Sequence, residues 1–194
     1  MPAIIDHDAR RAALARIAAD LIAAEGLDAA TVRRLAEAAG FSTKVVSHYF
    51  ADKRALLLLT YQFAADHSAQ RAVRTRSDGS ANARAHVLSL LPTEADMLRD
   101  WKVWLAFWGH AIADPGFARE QRGQVLRARA EIAEALARDP AFARLDADGR
   151  AAAARELLSV VIGVALQAAF DPDDWPAERQ AQPILERMAS LAAG

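Results

Sequence analysis

The sequence TVRRLAEAAGFSTKVVSHYFADK, residues 31–53, is the stretch that decides the fold. Its pattern predicts a short helix that ends near Ala39, a tight turn at Gly40, and a second short helix that ends near Phe50. A further helix starts at Asp52, whose carboxylate is a good helix cap. Neither short helix buries much surface alone. Joined by a glycine turn, two such helices can place the second in the major groove of DNA.

The apolar residues of this stretch fall on one face of each short helix. Val32, Leu35 and Ala36 give the first helix a buried face, and the small Ala36 side chain lets a crossing helix approach closely. Val46 and Phe50 give the second helix a buried face at i, i+4 spacing. We therefore expect Val46 and Phe50 to be structural.

The opposite face of the second helix is polar and suited to DNA. Hydroxyl, ammonium and imidazole groups contact phosphates and base edges, and a valine can meet a thymine methyl group. The residues on or beside this face are Thr43, Lys44, Val45, Ser47, His48 and Tyr49. Thr31 is the predicted cap of the first helix, and Ser42 or Thr43 that of the second, so both N-termini can present backbone amides to phosphates.

Basic residues are concentrated in the same region. The whole chain carries a net charge of −1, which is unlike a strongly basic nucleic-acid-binding surface. Between residues 33 and 54, however, five basic and two acidic residues give a local net charge of +3. Two of the three lysines, Lys44 and Lys53, lie in this window. The sequence therefore predicts a small basic patch on an otherwise acidic chain.

Composition narrows the class of protein. The chain has 194 residues, is 53% hydrophobic and 25% charged, and is typical of soluble globular proteins of one or two domains. The absence of cysteine excludes disulfides, thiolate catalysis and cysteine-ligated zinc. No segment approaches the uninterrupted apolar length that spans a bilayer, and the N-terminus lacks a secretory pattern. We therefore expect a cytoplasmic protein without a membrane partner.

Nearly every segment has helical periodicity, which predicts an all-α fold of about nine helices with no strand. The predicted helices cover residues 7–25, 31–39, 42–50, 52 to beyond 71, 81–91, 92–113, 117–138, 151–170 and 177–191. Breaks are predicted at residues 77–80 and from Asp139 to about Gly149. We place a domain boundary inside the fourth helix, between an N-terminal helix-turn-helix domain of residues 1–53 and a larger helical domain of residues 54–194.

An ordinary helical hairpin is the simpler explanation of a lone helix-turn-helix pattern, but the longer string resembles the N-terminal domain of the TetR family of transcriptional regulators. The matching pieces are ATVRRLAEAAGFS at 30–42, HYF at 48–50 and DKRALL at 52–57. Residues 46–50, VSHYF, resemble the BetI-type branch of that family. Lys44 and Ser47 depart from the common pattern, which has a small residue and a tyrosine there, so the operator sequence cannot be carried over.

The resemblance implies a ligand-responsive repressor that binds a pseudo-palindromic double-stranded DNA operator as a homodimer. Its two recognition helices would lie roughly 34–36 Å apart, one turn of DNA. By motif match the implied DNA contacts are Thr31, Arg33, Thr43, Lys44, Ser47, His48, Tyr49 and Lys53. An unidentified small-molecule effector would bind the helical domain of residues 54–194 and favour a conformation that releases the DNA. No cofactor is implied.

Three tryptophans form a stripe on one predicted helix. Trp101, Trp104 and Trp108 fall at i, i+3 and i+7, with Phe107 and His110 beside them. Core packing explains such a stripe, whereas in a TetR-like protein this region often lines the effector cavity. Aromatic faces attract quaternary ammonium groups, and choline is the best-known effector of the BetI-type branch. The sequence leaves both interpretations open.

The two last helices are the predicted dimer interface. The helix from about Ala151 to Phe170 is too apolar to lie on a solvated surface, and its small residues allow close packing. The resemblance implies that it joins the helix from about Ala177 to Leu191 in a four-helix bundle with the partner. A central core helix inside one monomer is the alternative.

Other classes of function find little support. No nucleophile elbow, zinc motif, phosphate loop or paired catalytic carboxylates are recognisable, so we do not expect an enzyme or a metal site. Asp146–Gly149 has part of a calcium-loop pattern, but arginines stand where carboxylates are required, which indicates a helix cap. A helical interaction protein with a vestigial DNA domain is a further alternative, which the basic window and the capping residues disfavour.

Overall fold

The computed structural model describes residues 7–77 and 82–193, and in these ranges the chain forms nine α-helices and no strand. The predicted all-α fold is confirmed. The helices are α1 (His7–Glu25), α2 (Val32–Ala39), α3 (Thr43–Tyr49), α4 (Lys53–Ser77), α5 (Ala83–Leu88), α6 (Ala95–Ala113), α7 (Pro115–Arg138), α8 (Ala147–Phe170) and α9 (Ala177–Ala193).

The caps of the helix-turn-helix are made by the residues that the sequence suggested. The Thr31 hydroxyl accepts a hydrogen bond from the backbone N–H of Arg34 at 3.2 Å, and the Ser42 hydroxyl accepts one from Val45 at 3.3 Å. Of the two candidates for the second cap, Ser42 is therefore the cap. Gly40 ends α2 with φ +67°, a left-handed conformation that other residues rarely adopt.

Helix α4 runs without a break from the helix-turn-helix into the rest of the molecule. Its first turn is capped by Asp52, which accepts a hydrogen bond from the backbone N–H of Ala55 at 2.7 Å. The helix continues to Ser77, as the sequence predicted in placing its end beyond Arg71. The predicted break at residues 77–80 falls mostly on residues 78–81, which lie outside the described residues.

The loop before α8 is shorter than predicted. We expected it to close near Gly149, but α8 begins at Ala147 because the Asp146 carboxylate accepts a hydrogen bond from the backbone N–H of Gly149 at 2.7 Å. Within the loop, Pro140–Phe142 forms one turn of 3₁₀ helix capped by Asp139. Helix α6 also begins three residues later than expected, at Ala95, after Pro92 and its neighbours form a turn.

Two hydrophobic cores meet along α4 and α6. One joins α1, α2 and α3 to the start of α4, and it also contains Val103, Phe107, Ala111 and Phe117 from α6 and α7. The other lies among α5, α6, α7, α8 and α9. The core around the helix-turn-helix therefore takes in part of the residues that sequence reasoning assigned to the second domain. The boundary at residues 53 and 54 stays a prediction.

Helix α8 is long and apolar enough to cross a membrane by length and composition, so the prediction that no segment approaches this length was wrong. The core helix of a soluble protein passes the same test. Here one side of α8, including Leu157, Val161 and Ala165, is buried against the rest of the chain. Packing against the core therefore explains the apolar sequence of α8 in the described part of the molecule.

A buried ionic cluster ties α1, α4 and α6 together. The carboxylate of Asp100 on α6 is fully buried; His67 Nδ1 on α4 lies 2.5 Å from it, and Arg99 Nη2 donates to it at 2.9 Å. Arg99 also reaches Asp20 on α1 at 3.5 Å, and His67 Nε2 lies 3.5 Å from Asp96. A fully buried carboxylate requires such partners because desolvation strongly disfavours an unpaired charge.

We predict that Asp100→Ala lowers the free energy of unfolding by about 3–5 kcal/mol, since it leaves the polar groups of His67 and Arg99 partly buried without their acceptor. Urea unfolding followed by circular dichroism, at matched protein concentration, measures the loss. The control is Asp20→Ala, at the half-exposed end of the same cluster, which should cost no more than about 1 kcal/mol. Equal losses in the two variants would contradict this account of the cluster.

Candidate DNA interface and effector cavity

Helix α3 presents a polar face to solvent and an apolar face to the core. Its seven residues span about 10 Å, and an α-helix with its side chains is about 10–12 Å in diameter, which fits the major groove of about 12 Å. Val46 and Phe50 are buried, as predicted. The exposed side chains on the outer face are Thr43, Lys44, Ser47 and His48, with Val45 and Tyr49 half-buried at its edges.

The residues that flank α3 differ in whether their polar groups are free to contact DNA. Arg33 is exposed on α2, whereas the hydroxyls of Thr31 and Ser42 are engaged in capping. Lys53 is exposed too, but its ammonium lies 2.9 Å from the carboxylate of Asp28. The hydrogen bond from Lys53 holds the pKa of Asp28 below its ordinary value. A phosphate that contacts Lys53 must therefore compete with a carboxylate.

Helix α1 contributes residues to this surface that sequence reasoning missed. The Tyr49 hydroxyl lies 3.2 Å from Nδ1 of His7, whose ring is also 6.2 Å from the ring of His48, centre to centre. Arg10 lies over the ring of Phe41 at 5.1 Å, at the other end of α3. His7 and Tyr49 are 42 residues apart, so no local pattern in the sequence could have paired them.

A second contact joins the start of α4 to the corner between α6 and α7. Arg54 Nη2 donates to the Asp114 carboxylate at 2.8 Å, and its guanidinium lies over the ring of Phe117 at 4.7 Å. Asp114 also caps α7, accepting from the backbone N–H of Gly116 and of Phe117. The Arg54 hydrogen bond lowers the pKa of Asp114 to about 2, so the pair stays ionised at neutral pH. A Cβ at Gly116 would meet the end of the Arg54 side chain, so a larger residue there would require the guanidinium to shift.

A cavity of about 230 Å³ lies between α4, α6, α7 and α8. All three tryptophans of the predicted stripe line it, which answers whether the stripe touches a cavity. Trp101 is nearly perpendicular to both Trp104 and Trp108, at ring-centre distances of 5.1 and 6.2 Å. The Trp101 indole N–H donates to the carbonyl of Leu90, whereas the buried Trp108 indole N–H has no hydrogen-bond partner among the described residues.

Two residues of the predicted effector site do not line the cavity, and that part of the prediction is corrected. Phe107 is buried in the core around the helix-turn-helix, stacked on Tyr61 at 4.4 Å and edge-on to Phe117 at 4.4 Å. His110 is exposed near the end of α6. The helical repeat of α6 places the three tryptophans on the face toward the cavity and places Phe107 and His110 on other faces of the helix.

Polar groups reach the cavity from α4 and α7. Two acidic residues, Asp66 and Glu131, and one basic residue, Arg127, are among the residues that line it. The Tyr61 hydroxyl donates to the side-chain oxygen of Gln121, and burial raises the pKa of Tyr61. No sequence pattern marked these residues as part of one site, because the α4 residues lie more than 50 positions from the α7 residues. In the described part of the chain, no cluster of three or more His, Asp or Glu could hold a metal ion.

A helix-turn-helix with a polar outer helix, joined by one continuous helix to a body with a cavity, defines a DNA-binding regulator. Comparison with known families agrees. A profile of bacterial regulatory proteins of the TetR family matches residues 14–60, and a profile of the C-terminal domain of BetI-type transcriptional repressors matches residues 80–193. The chain belongs to the TetR family, with a BetI-type C-terminal domain. It is a transcriptional regulator and not an enzyme.

Individual relatives support this assignment. The chain is 34% identical over 160 residues to the HTH-type transcriptional regulator BetI of Burkholderia ambifaria, covering 78% of this chain and 81% of the relative. It is 29% identical over 179 residues to BetI of Pseudomonas aeruginosa, covering 89% and 88%. A transcriptional regulator from Rhodococcus sp. RHA1 has a similar structure, with TM-score 0.81, 25% identity, and 95% and 96% of the two chains covered.

A further similar fold comes from a protein solved with a ligand. This transcriptional regulator from Saccharomonospora viridis was crystallised in complex with choline. It superimposes with TM-score 0.79 at 21% identity, and the match covers 94% of this chain and 96% of that one. At this identity the likeness concerns the fold.

Proposed function

We propose that α3 is the recognition helix and that Thr43, Lys44, Val45, Ser47 and His48 contact the operator, with Arg33, Tyr49 and Lys53 on flanking phosphates. The observation that carries this proposal is the division of α3, which buries Val46 and exposes a row of polar side chains. Thr31 and Ser42 act through the helix N-termini that they cap, since their hydroxyls are already used. Like other proteins that read chromosomal DNA in bacteria, this one would act in the cytoplasm.

We also propose a homodimer that forms through α8 and α9. The side of α8 that faces away from the chain's own core mixes apolar and small residues with polar ones. Phe170 is 77% exposed, Gly163 is exposed and Val160 is half-buried, beside the exposed Ser159 and Gln167. An identical face on a second copy would cover these residues around a two-fold axis. That symmetry sets two α3 helices against a pseudo-palindromic operator, with half-sites roughly 34–36 Å apart.

The effector that best fits the cavity is a small quaternary ammonium compound such as choline. The Trp101 ring, nearly perpendicular to the rings of Trp104 and Trp108, offers aromatic faces to a cation together with them. The acidic lining residues Asp66 and Glu131 outnumber the one basic lining residue, Arg127, which favours a positive charge in the cavity. The volume lies below the roughly 300–1,000 Å³ of pockets for drug-sized ligands, which suits a small molecule. The Trp108 indole N–H is available to a hydroxyl oxygen. The choline complex of the Saccharomonospora viridis regulator supports the same assignment.

Effector binding would release the operator through α4. The helix carries Tyr61 and Asp66 at the cavity and begins at Lys53 beside α3, so a shift of its cavity end moves α3 as well. An effector can lower the affinity for DNA by no more than the ratio of its own affinities for the DNA-free and the DNA-bound conformations. The proposed repressor therefore binds its operator without effector and leaves it when the cavity is filled.

We expect Lys44→Ala to weaken operator binding while the protein stays dimeric. It removes one phosphate contact from each protomer, so the slope of log affinity against log salt becomes shallower by about 2 for the dimer. His48→Ala should weaken specific binding further. Gel shift and fluorescence anisotropy with the DNA upstream of the protein's own gene measure both effects. Arg138→Ala, an exposed cation at the far end of α7, is the matched control, and an equal loss there would contradict the assignment.

Choline should bind the cavity, change the tryptophan fluorescence and lower the affinity for operator DNA. Trp104→Ala should weaken choline binding by about 2- to 30-fold, the range of about 0.5–2 kcal/mol for a cation–π contact. Trp175→Phe removes the one tryptophan of the sequence that lies outside this cavity, so the response should persist. The uncharged isostere 3,3-dimethylbutan-1-ol should bind more weakly. Equal binding of choline and its isostere would count against a cation site.

Phe170→Asp and Gly163→Arg should convert the dimer into monomers and abolish operator binding, because each would bury an unpaired charge where the two copies of α8 are proposed to pack. Sedimentation velocity at micromolar concentration reports the oligomeric state. Ile112→Asp is the control: Ile112 is 89% exposed at the end of α6, outside the proposed interface, and its variant should stay dimeric. Dimers in both interface variants would refute this choice of interface.

A further inference from the structure

The N-terminal turn of α1 lies against the C-terminal end of α3. His7 begins α1, and its ring centre is 5.8 Å from the Tyr49 ring and 6.2 Å from that of His48. The rings of His48 and Tyr49 are 5.6 Å apart and nearly perpendicular. Two imidazoles and a phenol thus form one cluster at the edge of the proposed DNA surface. Neither histidine contacts the cavity or the buried cluster around Asp100 in the described structure.

The hydrogen bond between His7 and Tyr49 depends on the protonation of the histidine. When neutral His7 carries its proton on Nε2, Nδ1 accepts the hydrogen bond of 3.2 Å from the Tyr49 hydroxyl, and the phenol hydrogen points inward. A protonated imidazole has hydrogens on both nitrogens, so Nδ1 must donate and the phenol oxygen must accept. The phenol hydrogen is then turned outward, where a phosphate oxygen can accept it.

Protonation also changes the charge of this edge. Among residues 7–77 and 82–193, the titratable and charged groups that face His7 are His48 and Tyr49 on α3 and, along its own helix, Asp8, Arg10 and Arg11. Arg10 is held over Phe41 at the opposite end of α3. A proton taken up from solvent by His7 therefore adds a positive charge beside Tyr49, at one end of the helix, without removing an ion pair that the structure shows at His7.

We propose that His7 is a positioning residue for DNA binding, which orients the Tyr49 hydroxyl toward a phosphate when its imidazole is protonated and so makes operator affinity rise as pH falls. The proposal rests on the DNA surface proposed above. Histidine ordinarily titrates near pH 6.5, and a bound phosphate favours the charged ring. By linkage, a histidine whose pKa is about one unit higher in the DNA complex than in the free protein makes binding about tenfold tighter per protomer at low pH than at high pH.

The test measures the affinity of the full-length protein for a duplex from upstream of its own gene, from pH 6 to pH 8 at constant ionic strength. A scrambled duplex of the same length reports non-specific binding. Fluorescence anisotropy of wild type, His7→Gln, Tyr49→Phe and the double variant forms a double-mutant cycle at each pH. His48→Gln isolates the contribution of the second imidazole. His110→Gln, an exposed histidine on α6, is the control.

The expected result is a wild-type affinity at least about tenfold higher at pH 6 than at pH 8, with a clearly smaller ratio in His7→Gln. The effects of His7→Gln and Tyr49→Phe should be less than additive at pH 6, since both remove one contact. His110→Gln should keep the wild-type ratio. Thermal unfolding of each variant at both pH values accounts for any change in folding.

Four results would overturn the proposal. An equal fold loss of affinity at both pH values in His7→Gln would assign His7 a merely structural role, and wild-type affinity at both pH values would assign it none. A ratio that falls in His110→Gln instead would place the titrating group elsewhere. If the wild-type protein binds no specific duplex at any pH, the proposed DNA surface is wrong. If it binds specifically and His7→Gln has the same pH profile, only the proposed role of His7 is wrong.

Discussion

The packing of α4 against α6 is the contact on which both halves of the molecule depend. At its centre the ring of Tyr61 stacks on that of Phe107, 4.4 Å apart, and both side chains are almost fully buried. Phe107 belongs to the core that supports the helix-turn-helix, whereas Tyr61 also lines the cavity and donates to Gln121. Because close-packed cores deform little, a ligand that displaces Tyr61 must also disturb the support of α3. This packing is therefore a sufficient route for the proposed coupling between the cavity and the proposed DNA surface.

Polar contacts hold the two ends of this packing. At the start of α4, Arg54 is bound by Asp114 and lies on Phe117; further along, His67 meets the buried carboxylate of Asp100. The first pair is exposed, so solvent screens it and it can break at small cost. The second involves a fully buried acid, so separating it is costly. A rotation of α4 about its cavity segment would therefore open the Arg54 end more readily than the His67 end.

Much of this architecture could be predicted from the sequence because its signals are local. The hydroxyls of Thr31 and Ser42 cap helices within three residues of themselves, and Gly40 marks its own turn. Features that depend on distant segments could not be predicted. The tryptophan stripe fits a core or a cavity equally well, and only the positions of α4, α7 and α8 decide between them. The start of α8 was misplaced because the loop was expected to run to about Gly149, whereas the Asp146 carboxylate accepts from the backbone N–H of Gly149 and so already begins the helix at Ala147.

The charge of the DNA surface also differs from what a count along the sequence gives. Of the five basic residues between positions 33 and 54, three are engaged by carboxylates: Arg34 by Glu25, Lys53 by Asp28 and Arg54 by Asp114. Each of these acids lies outside the window that was counted. Arg33 and Lys44 are exposed without an ion pair shown in the described structure, so few cations attract DNA regardless of its sequence. Non-specific affinity depends on the number of phosphates neutralised, and a chain of net charge −1 with few such cations should bind non-specific DNA weakly. If α3 is the recognition helix, as proposed, discrimination between DNA sequences then depends on its uncharged side chains Thr43, Val45 and Ser47, since contacts to base edges form only where the bases match.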